Sequence, residues 1–147
     1  MSKTRSIKIP ITIENIDGDG FHIFIEVRIG RKKIRALLDT GASKSVIGEK
    51  SLLKLKGVEA IRESESQAKG IGEEMLDTTI AIIKKLKIGT CELRNLHVGV
   101  LDLSHIRSTY KSIGVTPFTM ILGGDVLAHF GAVINYKKSW LKITVHP

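Results

Sequence analysis

An apolar strand that ends on a carboxylate and a glycine constrains this chain more than any other stretch. Residues 34–38 are mostly aliphatic, and Asp39, Thr40 and Gly41 follow directly. A carboxylate at the end of a buried strand is costly unless it is hydrogen-bonded, solvated or shared with another polar group. Gly41 permits backbone angles that a side chain would forbid and lets a second backbone come close. Such an Asp is most often a turn former, so these three residues alone do not decide between a turn and a functional site.

A second segment repeats this pattern further along the chain. Residues 119–122 read as an apolar strand that runs into Gly123 and Gly124, and a helix is expected to begin at Asp125. We interpret Asp125 as the residue that caps this helix, over residues 126–130. The two strand-to-glycine segments together look like one duplicated unit.

Four features in a fixed order make the chain resemble the retropepsin-like aspartic proteases, the single-domain relatives of pepsin that include the retroviral proteases. They are Leu37-Leu38-Asp39-Thr40-Gly41-Ala42-Ser43, the hairpin tip Gly70-Ile71-Gly72, Ile121-Leu122-Gly123-Gly124-Asp125, and the strand pair at 132–136 and 140–143. The resemblance covers nearly the whole chain, from about Ile7 onward. It implies an all-β fold, a retropepsin-like closed β-barrel or sandwich with one or two short helices and a β-hairpin flap.

The resemblance also implies roles around the first motif. Asp39 would be the catalytic carboxylate, and Thr40 would bond across the base of the site to a second subunit. Gly41 would let the two loops approach each other. Ala42 cannot donate the side-chain hydrogen bond that Ser or Thr gives at this position in pepsin-like relatives. We therefore expect a bell-shaped activity profile with an optimum at about pH 4–6.

Two further glycine segments acquire roles from the same resemblance. The hairpin around Gly70, Ile71 and Gly72 would be a substrate-binding flap, whose backbone groups hold an extended peptide as an added strand. Gly123 would belong to the loop that lines the floor of the active site. No stretch of the sequence identifies a specificity pocket, so the choice of substrate stays open.

Because each chain carries one candidate catalytic Asp, Asp39, the sequence bears on how many chains form the active site. Peptide hydrolysis by this route needs two carboxylates around one water, one to take its proton and one, protonated, to polarise the scissile carbonyl. A two-fold dimer would bring Asp39 of each subunit to the axis, where the two carboxyl groups share a proton. Strands at residues 7–13 and 141–145 could build a dimer sheet, although the sequence leaves another dimer, or a monomer, open.

Length and charge bound the remaining possibilities. The 147 residues, 42% of them hydrophobic, fit a single domain over residues 1–147. The net charge of +8 is scattered over turns and strand faces, and only 5% of the residues are aromatic, which leaves few stacking platforms for single strands. We therefore expect no nucleic-acid partner and read the partners as a peptide or protein substrate and a second copy of the chain.

The sequence gives little support for a metal site, a cofactor, a disulfide or a membrane span. The five histidines show no i, i+3 or i, i+4 pairing, so neither a metal site nor a cofactor is expected. Cys91 is the only cysteine, which excludes an internal disulfide and fits a reducing compartment. No run approaches the ~18 apolar residues of a membrane span, and residues 1–5 lack a signal-peptide core. These features predict a cytoplasmic protein without a membrane partner.

The local patterns predict mostly strands. Alternating residues at 7–13 and 21–29, and β-branched residues from 78 to 88, favour strands, whereas residues 48–55 favour one short helix. Residues 104–117 are polar and are expected to form a loop.

We conclude from the sequence that this is a homodimeric aspartic endopeptidase in which Asp39 of each subunit activates the water. The leading alternative is a non-proteolytic peptide-binding or dimerisation module on the same fold, in which the Asp39 pair never assembles. A basic nucleic-acid-binding β domain is the third reading.

Overall fold

The computed structural model describes residues 4–16, 18, 20–62 and 79–146. Strands dominate this part of the chain, with three short helices between them. In chain order the elements are β1 (Arg5–Pro10), β2 (Thr12–Asn15), β3 (Phe21–Ile29), β4 (Lys32–Leu38), β5 (Val46–Gly48), α1 (Ser51–Lys54), β6 (Val58–Arg62), β7 (Thr79–Ile88), β8 (Cys91–Leu101), α2 (Ser104–Ser112), β9 (Met120–Leu122), α3 (Gly124–His129), β10 (Val133–Asn135) and β11 (Trp140–Val145).

Six strands close into a barrel. Their order is β3-β4-β9-β5-β8-β7, and β7 returns to β3 through the pairs Arg28↔Lys87 and Ile29↔Leu86. Alternation along β3 supplies the core, because Ile25, Val27 and Ile29 are buried while the residues between them are exposed. The expected all-β closed barrel is confirmed.

The β3–β4 and β7–β8 hairpins depend on glycine at their turns. Gly30 and Gly89 both have φ of +62°, in the left-handed region where a side chain would be strained. At Gly89 an added Cβ would also lie 3.1 Å from Ile7 of β1. These turns therefore set the register of the long antiparallel pairs.

Strand β9 sits at the centre of the region that carries the candidate site. It pairs in parallel with β4, where Leu38 lies opposite Leu122, and antiparallel with β5 on its other side. The two strand-to-glycine segments of the sequence are thus neighbours, and both turns emerge at the same end of the barrel.

A separate three-stranded sheet joins the two ends of the described chain in the order β1-β11-β10. Strand β1 pairs with β11 along its whole length, from Arg5↔Val145 to Pro10↔Trp140. On its other edge β11 pairs with β10 only over its first half, from Asn135↔Trp140 to Val133↔Lys142.

The expectation of a loop at residues 104–117 is wrong, because α2 occupies Ser104–Ser112. The buried Leu103 anchors the start of α2, and Asp102 Oδ1 accepts hydrogen bonds from the backbone N of Ser104 (3.0 Å) and its Oγ (2.6 Å). Tyr110 packs edge-on against the Phe118 ring, with centroids 5.3 Å apart. Because residues 104–117 are mostly polar, the sequence did not indicate these contacts, and a loop was expected instead of a helix.

Candidate active site

Asp39 directly follows the last residue of β4, Leu38. Its backbone N donates to Leu122 O at 2.9 Å, which ties the residue to the end of β9. The side chain is half-buried, and Thr40 beside it is exposed. The strand pairing therefore places the carboxylate at the end of the barrel, next to the glycine turn that follows β9.

The turn after Asp39 orients its carboxylate. Gly41 N donates to Asp39 Oδ1 at 3.0 Å, and Ala42 N donates to Asp39 O at 3.1 Å. Within the described residues the second carboxylate oxygen, Oδ2, accepts no hydrogen bond. Asp39 thus has one oxygen fixed by the backbone and one available for another partner.

Gly41 has a different local role from the one expected. Its φ lies outside the left-handed region, so no unusual backbone angle requires glycine here. An added Cβ would lie 3.4 Å from Asp39 Oδ1. The missing side chain keeps the space beside the carboxylate open.

Gly123 brings the two loops into close contact. A Cβ at this position would lie 2.5 Å from Ala42 O and 3.1 Å from the carbonyl of Lys44, far closer than real Cβ atoms approach. The φ of Gly123 is −104°, which any residue adopts, so the requirement for glycine is purely one of space. Next to it, Gly124 N donates to Ala42 O at 2.7 Å.

Asp125 is not the helix cap that the sequence suggested, because α3 begins at Gly124 with Gly123 as its N-cap residue. Its Oδ2 accepts from Ser45 N at 3.0 Å, and its Oδ1 accepts from Ser45 Oγ at 2.7 Å and from Val126 N at 2.8 Å. The carboxylate therefore fastens the loop that carries Asp39 to the start of α3.

Ser45 is a structural residue that the sequence reasoning missed. It is fully buried, and its Oγ accepts from Gly123 N at 2.9 Å while donating to Asp125. One hydroxyl thus links both glycine motifs. A buried Ser between two turn regions carries no distinctive local pattern, so only the tertiary pairing of β4, β5 and β9 exposes its role.

The structure brings together five of the eight predicted site residues. They are Asp39, Thr40, Gly41, Ala42 and Gly123. The predicted flap residues Gly70, Ile71 and Gly72 lie outside the described residues. In the part of the chain that is described, no cluster of His, Cys, Asp and Glu could hold a metal ion.

A small apolar cluster adjoins the site. Leu37, which precedes Leu38 and Asp39 in β4, lies opposite Ile121 of β9. Both pack against a group centred on Phe24 and Phe118, apart from the main core of the barrel. Leu37 and Ile121 are half-buried, and each precedes a site residue by two positions, Asp39 and Gly123 respectively.

The closed barrel, with two strand-to-glycine loops joined beside a half-buried Asp, has the fold that the resemblance to the retropepsin-like aspartic proteases implied. The sequence agrees, because the aspartyl protease family model matches residues 25–126, a span that holds both motifs. The chain belongs to the aspartyl protease family. Comparison with curated protein sequences finds no match.

Solved structures share the fold at low sequence identity. A retropepsin-like aspartic protease from Rickettsia conorii has a TM-score of 0.55 at 20% identity and covers 100% of this chain and 96% of its own. EIAV protease, solved with the inhibitor HBY-793, has a TM-score of 0.52 at 23% identity over 76% of this chain and 90% of its own. The retroviral protease-like domain of Ddi1 from Leishmania major has a TM-score of 0.50 at 16% identity, over 82% and 86% respectively.

In the described part of the chain, no helix has both the length and the apolar composition needed to cross a membrane.

Proposed function

We propose that the chain is an aspartic endopeptidase that hydrolyses peptide bonds as a homodimer, with one Asp39 carboxylate from each subunit. The observation that supports this proposal most directly is the hydrogen bonding of the Asp39 carboxylate. Gly41 N fixes its Oδ1, while within the described residues Oδ2 accepts no hydrogen bond. A half-buried carboxylate held in this way at the barrel end is suited to share a proton or a water with a second carboxylate.

In this proposal the second carboxylate comes from another chain, and the other glycine motif does not supply it. Asp125 is the acidic residue of the other glycine motif, but both of its oxygens are engaged by Ser45 and Val126. It therefore cannot form a dyad with Asp39 without dismantling the loop that holds Asp39 in place. A two-fold dimer supplies an identical Asp39 instead. The exposed Thr40 beside it suits a contact between the two loops.

In the proposed reaction, one Asp39 carboxylate removes a proton from the water as its oxygen attacks the scissile carbonyl carbon. The other Asp39, protonated, donates its proton to the carbonyl oxygen and so stabilises the tetrahedral intermediate. The Asp39 that took the proton from water then donates it to the leaving amine as the C–N bond breaks. The other Asp39 carboxylate takes a hydroxyl proton from the intermediate as the new C=O bond forms, which restores the starting protonation of the pair. The chemistry uses only the two carboxyl groups and water.

The substrate of this proposal is an extended peptide or protein segment. The apolar surface formed by Leu37 and Ile121 suits an apolar side chain next to the scissile bond.

The first test is the replacement Asp39→Asn, which keeps the shape of the side chain and removes the base. We expect peptidase activity to disappear while the fold remains intact. Asp102→Asn is the matched control, because Asp102 lies at the start of α2 and should retain full activity. Wild-type activity in Asp39→Asn would refute the assignment.

The second test addresses the shared site. Specific activity should rise with protein concentration until the dimer saturates, as mass action requires. Excess Asp39→Asn subunits should inhibit the wild type, because each mixed dimer holds one carboxylate and one amide. Constant activity per subunit across the dimer dissociation constant, with no inhibition by the variant, would contradict the model. A dimer that binds peptides, but neither cleaves them nor binds pepstatin-type inhibitors, would instead be the non-proteolytic module.

A further inference from the structure

A basic cavity lies at the opposite end of β4 from Asp39. Its volume is about 550 Å³, and its lining includes Lys32 and Arg35 of β4 and residues of α1 and α2. Arg35 precedes Asp39 by four residues, which places them about 13 Å apart along an extended chain. The cavity is therefore separate from the candidate active site.

Cationic side chains dominate the lining, with seven Lys and Arg residues against the two carboxylates of Glu49 and Asp102. Two of the seven are paired, Lys33 with Glu26 and Arg35 with Glu14. Five form no ion pair with any described residue: Lys32, Lys50, Lys54, Arg107 and Lys111. Like charges gathered around one cavity repel each other, and an anion bound there would relieve that repulsion.

Two buried polar atoms of the lining residues are unsatisfied. Thr119 Oγ1 and Arg35 Nε have no hydrogen-bond partner in the described structure. Arg35 is also held in position, since its terminal nitrogen bonds Glu14 at 2.6 Å and its guanidinium lies 4.0 Å from the centre of the Phe24 ring. Buried donors without partners are rare. Both atoms are shielded from solvent, so a ligand with acceptor oxygens would bond them only after the surrounding side chains of the lining rotate.

Helix α2 presents one face to the cavity. Ser104, Arg107, Ser108 and Lys111 follow the i, i+3, i+4, i+7 spacing of a single helical face, and all four line the cavity. Hydrogen bonds from Ser104 lower the pKa of Asp102, and the charge of Lys50 acts in the same direction. Asp102 is thus ionised and bonded to Ser104 just before α2, while the cations Arg107 and Lys111 lie on the later turns of the helix.

We propose that this cavity binds a compact anion that carries several phosphate groups. Its volume is that of a small-molecule site, too small for a folded partner or a duplex. Hydroxyl groups from Ser51, Ser108 and Thr119 accompany the cations, and phosphate oxygens accept hydrogen bonds from both kinds of donor. None of the described lining residues is aromatic, so the phosphates, rather than a stacked base, provide the recognition.

Titration of the full chain with inorganic tripolyphosphate by isothermal calorimetry tests this proposal. The double variant Lys50→Gln/Lys54→Gln removes two exposed cations of the cavity and should weaken binding at least about tenfold. The matched control Lys137→Gln/Lys138→Gln removes the same charge from the exposed turn between β10 and β11 and should leave the affinity within about twofold. Equal weakening by both variants would mean diffuse attraction to a basic surface and would overturn the proposal.

Thr119→Val provides the second, independent measurement. Because Thr119 Oγ1 has no partner, its removal should leave the stability of the free protein unchanged or raised, while tripolyphosphate binding weakens. Unchanged affinity in this variant would place the anion elsewhere. A hexaglutamate peptide that binds as tightly as tripolyphosphate would show recognition of charge without phosphate geometry and would also refute the proposal.

Discussion

Replacing Gly123 by Ala tests the contact that joins the two loops of the candidate site. The new Cβ would start 2.5 Å from Ala42 O and must move by roughly 0.5–0.9 Å to reach an ordinary contact. Since the neighbouring atoms are backbone, this forced overpacking should cost about 1–3 kcal/mol. Gly→Ala also stiffens the unfolded chain, which offsets about 0.4–1 kcal/mol of that cost.

Gly124→Ala is the matched control, because a Cβ there would lie 3.5 Å from Ala42 O, an ordinary contact. Both replacements change the unfolded chain in the same way, so their difference in unfolding free energy isolates the clash at Gly123. Urea unfolding at one protein concentration should therefore separate the two variants by about 1–3 kcal/mol, with Gly124→Ala at or above wild type.

Peptidase activity provides a second measurement of the backbone shift that the new Cβ at residue 123 would cause. Since Ala42 belongs to the turn that holds Asp39, a shift of this size should lower kcat/KM by up to about 100-fold in Gly123→Ala, and little in Gly124→Ala. Two variants that unfold within about 0.5 kcal/mol of each other would refute the reasoning, because the contact would then be accommodated without strain.

Three further outcomes follow from the structure. Asp125→Asn turns an acceptor of the Ser45 hydrogen bonds into a donor, so the free energy of unfolding should fall by about 1–3 kcal/mol, more than the ~1 kcal/mol of a lost helix cap, and urea midpoints measure this. Ala42→Ser should move the pH–activity profile of peptide cleavage to lower pH, and an unchanged profile would count against the mechanism. Burial raises the pKa of Tyr110 above its usual value of about 10, with Arg35 opposing part of the rise. The folded state therefore holds this proton more tightly than the unfolded state, so stability is lost as pH rises above about 10. Tyr110→Phe should reduce that alkaline loss between pH 9 and 11, and parallel curves for the two proteins would contradict it.

Local patterns in the sequence predicted most of the strands. The alternation over residues 21–29 is reproduced by β3, and the apolar run before Asp39 by β4, because burial on one face imposes a period of two on the sequence. The strand expected over residues 7–13 is instead divided into β1 and β2 at Ile11, where the chain passes from the small sheet to the barrel. Both halves remain strands, so the alternation alone did not mark the division.

Local sequence patterns did not predict the strand pairing and the long-range hydrogen bonds that build the candidate site. The parallel pairing of β4 with β9 joins segments that are far apart in the chain, and no local period encodes which strand lies beside which. The bonds of Asp125 to Ser45 depend on that pairing, and so does the close approach of Gly123 to Ala42. Helix α2 was not predicted because its residues are mostly polar. The helical spacing of Ile106, Tyr110 and Ile113 was too weak a signal to indicate a helix.

The hydrogen bonds between Ser45 and Asp125 span 80 residues of sequence, which has a consequence for the order of folding. The β3–β4 hairpin can form early from adjacent residues, but the turn that orients Asp39 cannot be locked until β9 and the first turn of α3 arrive. Closing so long a loop is entropically costly and slow. During synthesis the N-terminal half of the chain therefore exposes an unfinished barrel edge, and the proposed activity switches on only after the second motif has left the ribosome.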